Sequence, residues 1–301
     1  MKTHVLYNPL SDNRHGEQNA KKIAEVLKDD ELEFTDLTKI ELSDYLRDTP
    51  ADEKIVIAGG DGTIHVIFNK FGGVLPDRPL YYYPTGNGND FMVDIKEKVS
   101  GDLVLLNDYI KDLPSVSVND GKDVLFFNGV GYGIDGYCCE EGDKLKKQTD
   151  KPINYAGIAI KGILGKFKPR KAIVTVDGVK HEYDHVWLAP AMNGRYYGGG
   201  MNIAPGQDRL NPERTLTVIV FRGKSKLKTL MVFPSVFKGE HIKHTKIVHV
   251  LTGHEITVEF DKPTALQIDG ETYVNVTHYT AKSSKLSASP SEEKKETAAN
   301  V

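Results

Sequence analysis

The hydrophobic positions in the first third of the chain follow two alternating periodicities. Short apolar runs predict buried strands at Thr3 to Tyr7, Leu32 to Thr35, Ile55 to Ala58 and Leu80 to Tyr83. Apolar residues spaced three and four apart predict helices at Glu17 to Lys28, at Leu42 to Arg47 and after the glycines near residue 60, where Ile64, Ile67, Phe68 and Phe71 share a face. This order indicates an α/β fold with a doubly wound parallel sheet, which binds ligands at the carboxyl ends of its strands.

Hairpin signals replace this pattern near Val116. Strands are predicted at Val116 to Val118, Val124 to Phe127, Ile173 to Val176, Leu216 to Phe221, Lys246 to Leu251 and Ile256 to Phe260, with turns at Asn119-Asp120-Gly121 and Asp177-Gly178. The sequence therefore predicts two domains, residues 1–118 and 119–282, of which the second is antiparallel. Residues 283–301 are polar and biased in composition, so we expect a solvated tail without a catalytic part.

Composition excludes several classes of protein. The 301 residues are 39% hydrophobic and 27% charged, as in soluble globular proteins with real cores, and a net charge of -3 argues against a nucleic-acid binder. The two cysteines, Cys138 and Cys139, are adjacent and poorly placed for a disulfide, which indicates a reducing cytosol. We find no signal peptide and no apolar run of about 20 residues, so we expect any action on lipid to occur from the membrane surface.

Two glycine-rich segments carry the candidate chemistry. Gly59-Gly60-Asp61-Gly62-Thr63 follows the Ile55 strand and opens a helix, and Pro84 to Asp90 follows the next predicted strand. Free N–H groups at a helix start attract phosphate, and glycine lets the backbone approach its oxygens. Because a carboxylate beside phosphates is repelled, we interpret Asp61 as a magnesium-linked or catalytic residue. The alternative is a tight strand-to-helix turn in which Asp61 only caps the helix.

Four motifs together resemble the diacylglycerol kinase catalytic-domain family, in particular its soluble bacterial lipid kinases. They are Gly-Gly-Asp-Gly-Thr at residues 59–63, Pro-x-Gly-x-x-Asn-Asp-Phe at 84–91, Asn193 to Met201 with Ala204-Pro205, and Gln267-Ile268-Asp269-Gly270-Glu271. They occur in the family's order and, from Asn8-Pro9 onward, span nearly the whole chain. The first motif alone also occurs in NAD kinases and phosphofructokinases, whereas the combination is specific.

The resemblance implies an ATP-dependent, Mg²⁺-requiring kinase that phosphorylates a lipid hydroxyl of diacylglycerol, phosphatidylglycerol or a sphingoid base. It places the nucleotide in the cleft between the α/β domain and a β-sandwich domain. The implied nucleotide site consists of Asn8, Thr35, Gly59, Gly60, Gly62, Thr63, Gly86, Asn87, Asn89 and Asp90. Asp61 and Glu271 are the implied catalytic residues, and Glu271 matches the acid that activates the lipid hydroxyl.

Two positions depart from the family pattern. Asn87 stands where relatives carry Thr, and its side chain can still bond phosphate or ribose. Relatives carry Asp-Gly-x-Leu-Asp after Ala204-Pro205, where the first Asp helps bind a structural magnesium, but this chain has Glu213-Arg214-Thr215-Leu216-Thr217. Glu213 could ligate a hard cation through oxygen, although Arg214 would compete for it.

Alternatives to a lipid kinase remain open. The shared glycine loop is compatible with a soluble-metabolite kinase of the NAD-kinase type, and the altered metal segment is compatible with a non-catalytic nucleotide or lipid sensor. Asp269-Gly270 also reads as a type I′ hairpin turn with Glu271 exposed on the next strand, and that turn can coexist with a catalytic role.

Other motifs are weaker. Gly131-Tyr132-Gly133-Ile134-Asp135-Gly136 matches a dinucleotide fingerprint but lies at the start of the hairpin-rich half, so we expect its glycines to allow a close crossing between domains. His241, His244 and His249 lack an acidic partner at metal-site spacing, and we expect them to be solvated.

The region from Lys144 to Lys171 bears on partners. It contains nine Lys or Arg residues against one acid, Asp150, and is compatible either with a basic helix attracted to anionic lipid or with a core helix that has a solvated lysine face. We expect a membrane lipid substrate, a cytoplasmic protein peripheral at the inner face of the membrane, and a chain that can form a homodimer.

Overall fold

A computed structural model describes residues 1–70, 77–85, 89–99, 101–148 and 153–287. The first sheet has five strands in the order β2-β1-β3-β4-β5. These are β1 (Lys2–Tyr7), β2 (Glu31–Asp36), β3 (Lys54–Gly59), β4 (Leu80–Pro84) and β5 (Val104–Leu105). The helices of this region are α1 (Ser11–Arg14), α2 (Gly16–Lys21), α3 (Leu42–Asp48), α4 (Asp61–Lys70), α5 (Asp90–Ile95) and α6 (Asn107–Ile110).

The first four strands are parallel, and only β5 runs antiparallel to its neighbour. Alternate residues of one strand enter two different cores: Ile55 and Ile57 of β3 pack on one side of the sheet, and Val56 and Ala58 pack on the other. Burial on both faces explains why the strand reads as a continuous apolar run. The predicted doubly wound sheet is confirmed.

The predicted helix at Glu17 to Lys28 is shorter than its apolar spacing indicates. The α2 helix ends at Lys21, and the chain continues as a 3₁₀ helix over Lys22–Glu25. Ala20, Ile23 and Leu27 pack against the sheet, whereas Ala24, which was expected on the same face, is exposed, so the predicted apolar face is not buried along its whole length.

Ten of the described strands form the second, antiparallel sheet. They are β6 (Ser115–Val118), β7 (Val124–Leu125), β8 (Gly129–Tyr132), β9 (Arg170–Val176), β10 (Val179–Leu188), β11 (Ala191–Met192), β14 (Leu216–Arg222), β15 (Val248–Gly253), β16 (Glu255–Ile268) and β17 (Glu271–Lys282). Two further strands, β12 (Tyr196–Tyr197) and β13 (Met201–Asn202), pair only with each other. Because β6 already belongs to this sheet, the change of domain precedes the predicted boundary at residue 118.

The second sheet closes on itself at β16. Ile256 to Phe260 of this strand pair with β9, and Leu266 to Ile268 pair with β8. The remaining pairs, β8 with β11, β11 with β14, β14 with β10 and β10 with β9, complete the ring. Its two halves face each other across a buried core that includes Val130, Val218 and Leu266, in agreement with the expected β-sandwich.

Helices cover one side of this sheet. They are α7 (Ile134–Lys146), α8 (Tyr155–Lys161), α9 (Lys226–Val232) and α10 (Ser284–Ser287), with a π-helical turn at Gly162–Lys166 and 3₁₀ turns at Phe233–Lys238 and Glu240–Lys243. Buried residues of α7, α8 and α9 share one hydrophobic cluster with Trp187 and Phe221 of the sheet. Of the helices in the described ranges, none has both the length and the apolar composition required to cross a bilayer.

The dinucleotide-like glycines occupy a strand-to-helix connection within the second domain. Gly133 has a φ of 110°, and an added Cβ there would lie 2.5 Å from the Trp187 carbonyl oxygen. At Gly136 an added Cβ would lie 2.0 Å from the Ala265 carbonyl oxygen. These glycines therefore let α7 approach its own sheet, and the expectation that they serve a crossing between domains is wrong.

The prediction of solvated histidines is also wrong for His241. Its side chain is fully buried, and Nε2 lies 2.8 Å from the Ile203 carbonyl oxygen. His244 is exposed, as expected, and His249 is half-buried.

Candidate active site

Asp61 joins the two glycine segments at the start of α4. Its Oδ2 accepts a hydrogen bond from the Asp90 amide at 2.8 Å, and its Oδ1 accepts one from the Phe91 amide at 3.4 Å. The segments approach each other because β3 and β4 are adjacent parallel strands, with Gly59 opposite Pro84. The two predicted motifs therefore meet at one edge of the first sheet.

Asp90 extends this contact to the second domain. Its carboxylate accepts hydrogen bonds from the amides of Gly199 at 2.9 Å and Gly200 at 2.6 Å. Gly198, Gly199 and Gly200 have φ values of 63°, 83° and 101°, a conformation that side chains disfavour. The three glycines thus allow the loop between β12 and β13 to point successive N–H groups at one carboxylate.

The carboxylates at this junction repel one another. Removal from bulk water, followed by the charge of Asp90 and more weakly that of Asp269, raises the pKa of Asp61 to about 7, against the backbone hydrogen bonds. Burial likewise raises the pKa of Asp90, although the Gly199 and Gly200 amides and Arg209 oppose this. Like charges held close in a low-dielectric region are typical of sites that bind a cation or transfer a proton.

The Asp269-Gly270 turn reaches the same region from the second domain. Asp269 accepts hydrogen bonds from the amides of Phe127, Asn128 and Gly129 at 2.6, 2.8 and 3.0 Å. Its Oδ2 also lies 3.0 Å from Nδ1 of His65, one turn after Asp61 on α4. The turn conformation is as predicted, with φ values of 47° and 98° at Asp269 and Gly270.

Burial alone would lower the pKa of His65, but the hydrogen bond and the charge of Asp269 outweigh it and raise the pKa above 6.5, with a smaller contribution from Glu271. Glu271 itself is exposed at the first residue of β17. The structure therefore places Glu271 beside the turn that contacts α4, with its carboxylate open to a ligand.

A second set of buried charges links the domains one helical turn beyond Asp90. Asp94 Oδ1 accepts a hydrogen bond from Arg195 Nε at 2.7 Å, and its Oδ2 accepts one from Arg209 Nε at 2.6 Å. Arg209 is 4% exposed, and its guanidinium also donates to Asn128 Oδ1 at 2.9 Å. No periodic pattern predicted this cluster, because Asp94 precedes both arginines by more than a hundred residues.

The remaining predicted nucleotide residues lie around the same strand ends. Asn89 caps α5 by accepting a hydrogen bond from the Met92 amide at 3.0 Å, and Thr63 is buried against Gly59. Thr35 is the next-to-last residue of β2, and its hydroxyl lies 3.1 Å from that of Tyr45. The Asn8 side chain accepts a hydrogen bond from the Leu10 amide at 3.0 Å. Gly60 and Gly62 flank Asp61 at the start of α4, and Gly86 and Asn87 lie outside the described residues.

The residues fit a magnesium ion at one of the two predicted positions. Kinase sites hold Mg²⁺ with one or two carboxylates together with substrate phosphates, and Asp61 and Asp90 supply this donor set with lone pairs to spare. Glu213 does not belong to it, because its side chain is exposed and pairs with Lys285 Nζ at 2.8 Å. Arg214 turns away from Glu213 and contacts Asp112 at 3.0 Å. Across the ranges that the structure covers, no three His, Cys, Asp or Glu residues form a metal-binding group.

Asp135 is a further buried acid that was not among the predicted site residues, because its glycine motif was interpreted only as a weak dinucleotide fingerprint. Asp135 lies in the first turn of α7, and burial raises its pKa to about 7. Its side chain and the hydroxyl of the buried Tyr197 are close enough to interact, which opposes this rise in pKa. Gly131 leaves the space between Asp135 and Gln267, whose Oε1 accepts from the Gly270 amide at 2.7 Å. A buried carboxyl group that faces Tyr197 therefore lies behind the Asp269-Gly270 turn.

Comparison with known proteins agrees with this architecture. Residues 2–111 match the profile of the diacylglycerol kinase catalytic domain, and residues 128–285 match that of the YegS C-terminal NAD kinase beta sandwich-like domain. A Bacillus anthracis (strain Sterne) protein provisionally assigned as a diacylglycerol kinase has the same fold, with a TM-score of 0.62, 19% identity, and coverage of 93% of this chain and 91% of that one.

Curated relatives are distant in sequence. A diacylglycerol kinase of Mycobacterium tuberculosis is 25% identical over 211 residues, which cover 66% of this chain and 66% of that protein. A diacylglycerol kinase of Staphylococcus aureus is 27% identical over 300 residues, which cover 89% of this chain and 85% of the relative. The chain thus spans about two thirds of the length of the first of these relatives.

Proposed function

Because the chain belongs to the diacylglycerol kinase catalytic-domain family, we propose that it is an ATP-dependent kinase that transfers the γ-phosphate to a hydroxyl of a membrane lipid. The observation that carries the proposal is the meeting of Asp61, Asp90 and the Asp269-Gly270 turn, from three segments and two domains, at the start of α4. Phosphoryl transfer depends on positioning and on charge neutralisation, and this junction offers groups for both.

The donor side of the site lies at the carboxyl ends of β3 and β4. The N–H groups at the start of α4 and the glycines around Asp61 offer a cradle for phosphate oxygens. Bound Mg²⁺ would neutralise charge on the phosphates and on Asp61 and Asp90. The raised pKa of Asp61 supports this assignment, since a neighbouring cation would favour its ionised form.

The acceptor side belongs to the second domain. Glu271 is the proposed proton acceptor for the lipid hydroxyl, because it is open to solvent while its neighbour Asp269 is anchored by three backbone amides. The buried Asp135 and Tyr197, which face each other, are proposed to bind polar groups of the lipid behind the turn. The protein would then act at the cytoplasmic face of the membrane, in peripheral contact with its substrate.

The test combines purified protein, magnesium, labelled ATP and a total bacterial lipid extract. We expect label in the organic phase, and a loss of about 100- to 10,000-fold in the initial rate for Glu271→Ala, the range for removal of a general base. Asp61→Ala should be equally inactive. Glu259→Ala provides a matched control, since Glu259 is an exposed acid on the neighbouring strand β16.

A soluble-metabolite kinase is the second candidate function, because the second domain matches a profile described as NAD kinase-like. Label confined to the aqueous phase in the presence of NAD would select a soluble-metabolite kinase. Saturable ATP binding without transfer to either phase would select a nucleotide or lipid sensor and would refute the proposed enzyme.

A further inference from the structure

Two short helices of the second domain expose apolar residues on their outer faces. Ile160 and Leu164, in α8 and the π-helical turn after it, are 44% and 59% exposed. Leu227 and Met231 of α9 are 69% and 67% exposed. Within each pair the spacing is four residues, so both members lie on the same side of their helix.

The opposite faces of these helices hold them in place. Ala159, Ile163, Val232 and Phe233 are buried in one hydrophobic cluster with the sheet. The outward residues are therefore presented on a packed scaffold.

The two exposed pairs belong to one surface. Lys226 of α9 donates a hydrogen bond from Nζ to the Leu164 carbonyl oxygen at 3.0 Å, which fixes α9 beside the π-helical turn. We call Ile160, Leu164, Leu227 and Met231 together the apolar ridge.

The charge around the apolar ridge has one sign. Residues 153–171 contain five Lys or Arg residues and no Asp or Glu, and residues 222–239 also contain five and none. The whole chain has 39 basic and 42 acidic residues, so this composition is confined to the two segments that meet at the ridge. Lys161, Lys166, Lys224 and Lys228 are all exposed beside it.

The lysines earlier in the basic region are different. Lys144 of α7 lies 2.8 Å from both Glu140 and Glu141, and Lys146 lies 3.2 Å from Asp143. Their charge is balanced on their own helix. Within the described ranges, the lysines of α8, the π-helical turn and α9 form no such ion pair. The sequence pattern had indicated the first of these segments but not α9.

We propose that the apolar ridge and its lysines form a docking surface for anionic phospholipid bilayers. Apolar side chains flanked by lysines match the boundary between acyl chains and acidic headgroups, to which each surface-adjacent positive charge adds several-fold in affinity. A second copy of the chain is a poor occupant, because a symmetric dimer through this face would bring its two acid-free, basic segments against each other. This inference goes beyond the proposed function, since docking needs neither ATP nor transfer.

The helix that carries half of the ridge packs on a helix that reaches the candidate acceptor site. Helix α8 packs on α7, where an added Cβ at Gly142 would lie 2.6 Å from the Tyr155 ring. Helix α7 begins beside Asp135 and Gln267, behind the Asp269-Gly270 turn. Packing contacts therefore connect α8, through α7, to the residues behind that turn.

The first experiment is flotation of the full chain with vesicles of phosphatidylcholine alone or mixed with phosphatidylglycerol. We expect binding only to the mixed vesicles and a loss that rises with salt. Leu227→Glu combined with Met231→Glu should lower the partition coefficient by about 100-fold, from roughly tenfold for each side chain withdrawn from the apolar boundary. Val179→Glu is the matched control, because Val179 is 60% exposed on a distant hairpin, and it should bind like the wild type.

The second experiment changes charge without touching the apolar residues. Lys224→Glu combined with Lys228→Glu should weaken binding by at least about 25-fold, from about fivefold for each lysine removed at the surface. Lys122→Glu combined with Lys180→Glu makes the same change in net charge at two exposed hairpin residues of the second domain and should have a much smaller effect. Thermal unfolding of each variant identifies any that fail to fold. If one of the two double variants, Leu227→Glu with Met231→Glu or Lys224→Glu with Lys228→Glu, does not fold, the other still tests the proposal.

Three results would overturn the proposal. The first is equal binding to both vesicle types, and the second is equal loss in the ridge pair and its control. The third is a dimer in light scattering that Leu227→Glu dissociates, which would assign the ridge to a second copy. If the wild-type protein floats with the mixed vesicles but has no kinase activity, only the proposed function is refuted.

Discussion

Asp90 and Asp94 lie one turn apart on α5, and both accept hydrogen bonds from residues of the second domain. Their surroundings differ. Asp94 contacts two guanidinium groups, those of Arg195 and Arg209. The Asp90 carboxylate accepts hydrogen bonds from the amides of Gly199 and Gly200 and pairs with no guanidinium group in the described ranges, and burial raises its pKa. At the carboxyl-terminal end of the helix, the charge of Asp94 is neutralised by arginine. At its amino-terminal end, Asp90 and the neighbouring Asp61 form a region of excess negative charge.

The difference separates structure from chemistry within one short helix. A buried carboxylate that is paired with arginine is committed to holding the fold, and removal of one partner leaves a costly isolated charge. Carboxylates that repel one another weaken the empty protein but attract a cation. The junction therefore fastens the domains at Asp94 and leaves Asp61 and Asp90 available to a ligand.

The largest expected effect comes from Asp61→Asn. This change keeps the shape of the side chain but removes its charge, and we expect the kinase rate to fall by about 1,000-fold, within the range for a group that acts on transferred charge. The unfolding free energy at pH 8 should not decrease, because the neutral side chain relieves repulsion with Asp90. Initial rates with labelled ATP and urea unfolding measure the two quantities. A large loss of stability would instead make Asp61 a helix cap.

Arg209→Met tests the structural end of the helix. This change leaves the buried Asp94 paired with Arg195 alone. We expect the free energy of unfolding to fall by about 3–5 kcal/mol. Asp94→Leu added to Arg209→Met should restore part of this loss, because it removes the orphaned charge. Urea unfolding of both variants gives the comparison. Additive losses in the double variant would show that the two residues do not act as a pair.

The contact between His65 and Asp269 predicts a dependence on pH. Because the pKa of His65 is raised above 6.5 in the folded chain, its stabilisation is fully present below pH 6.5 and is lost as pH rises through the folded value. We expect His65→Leu to destabilise the protein by about 1–2 kcal/mol more at pH 6 than at pH 9, from the usual strength of a charged hydrogen bond. Denaturant titrations at the two pH values measure this difference, and a loss independent of pH would contradict it.

The smallest expected effect is that of a chelator on the nucleotide-free protein. Arg209 and Arg195 already neutralise Asp94, and Glu213 pairs with Lys285, so the fold does not need a divalent ion at the segment after Ala204-Pro205. EDTA should therefore leave the melting temperature unchanged within about 1 °C, whereas loss of a stabilising ion would shift it by several degrees. Differential scanning calorimetry with and without EDTA tests this, and added magnesium serves as the control.

The sequence was most informative where function depends on local geometry. Asp61 and Asp90 each follow a buried strand, and parallel strands align such ends at one sheet edge. The meeting of the two segments could therefore be inferred from residue spacing. The type I′ turn at Asp269-Gly270 was equally local.

The sequence was least informative for contacts between distant, non-periodic residues. Arg209 and Asp94 are joined only by the way the segment before β14 folds back onto α5. Glu213 was assigned to a metal by its position in a motif, and nothing in the motif indicates that Lys285 would reach it. Buried His241 and Asp135 were misjudged because their burial depends on the packing of α7 and the 3₁₀ turns against the second sheet.

The closing strand β16 also has a consequence for biosynthesis. The first sheet needs only residues up to Leu105, and its strands pair largely with near neighbours in the sequence. In the second sheet, β8 at residues 129–132 pairs with β11 on one side, and its other neighbour, β16 at residues 255–268, is synthesised more than 120 residues later. Pairing over such separations is slow to form. The first domain can thus fold on the ribosome while strands of the second sheet remain unpaired and accessible to chaperones until β16 and β17, which ends at Lys282, have been translated.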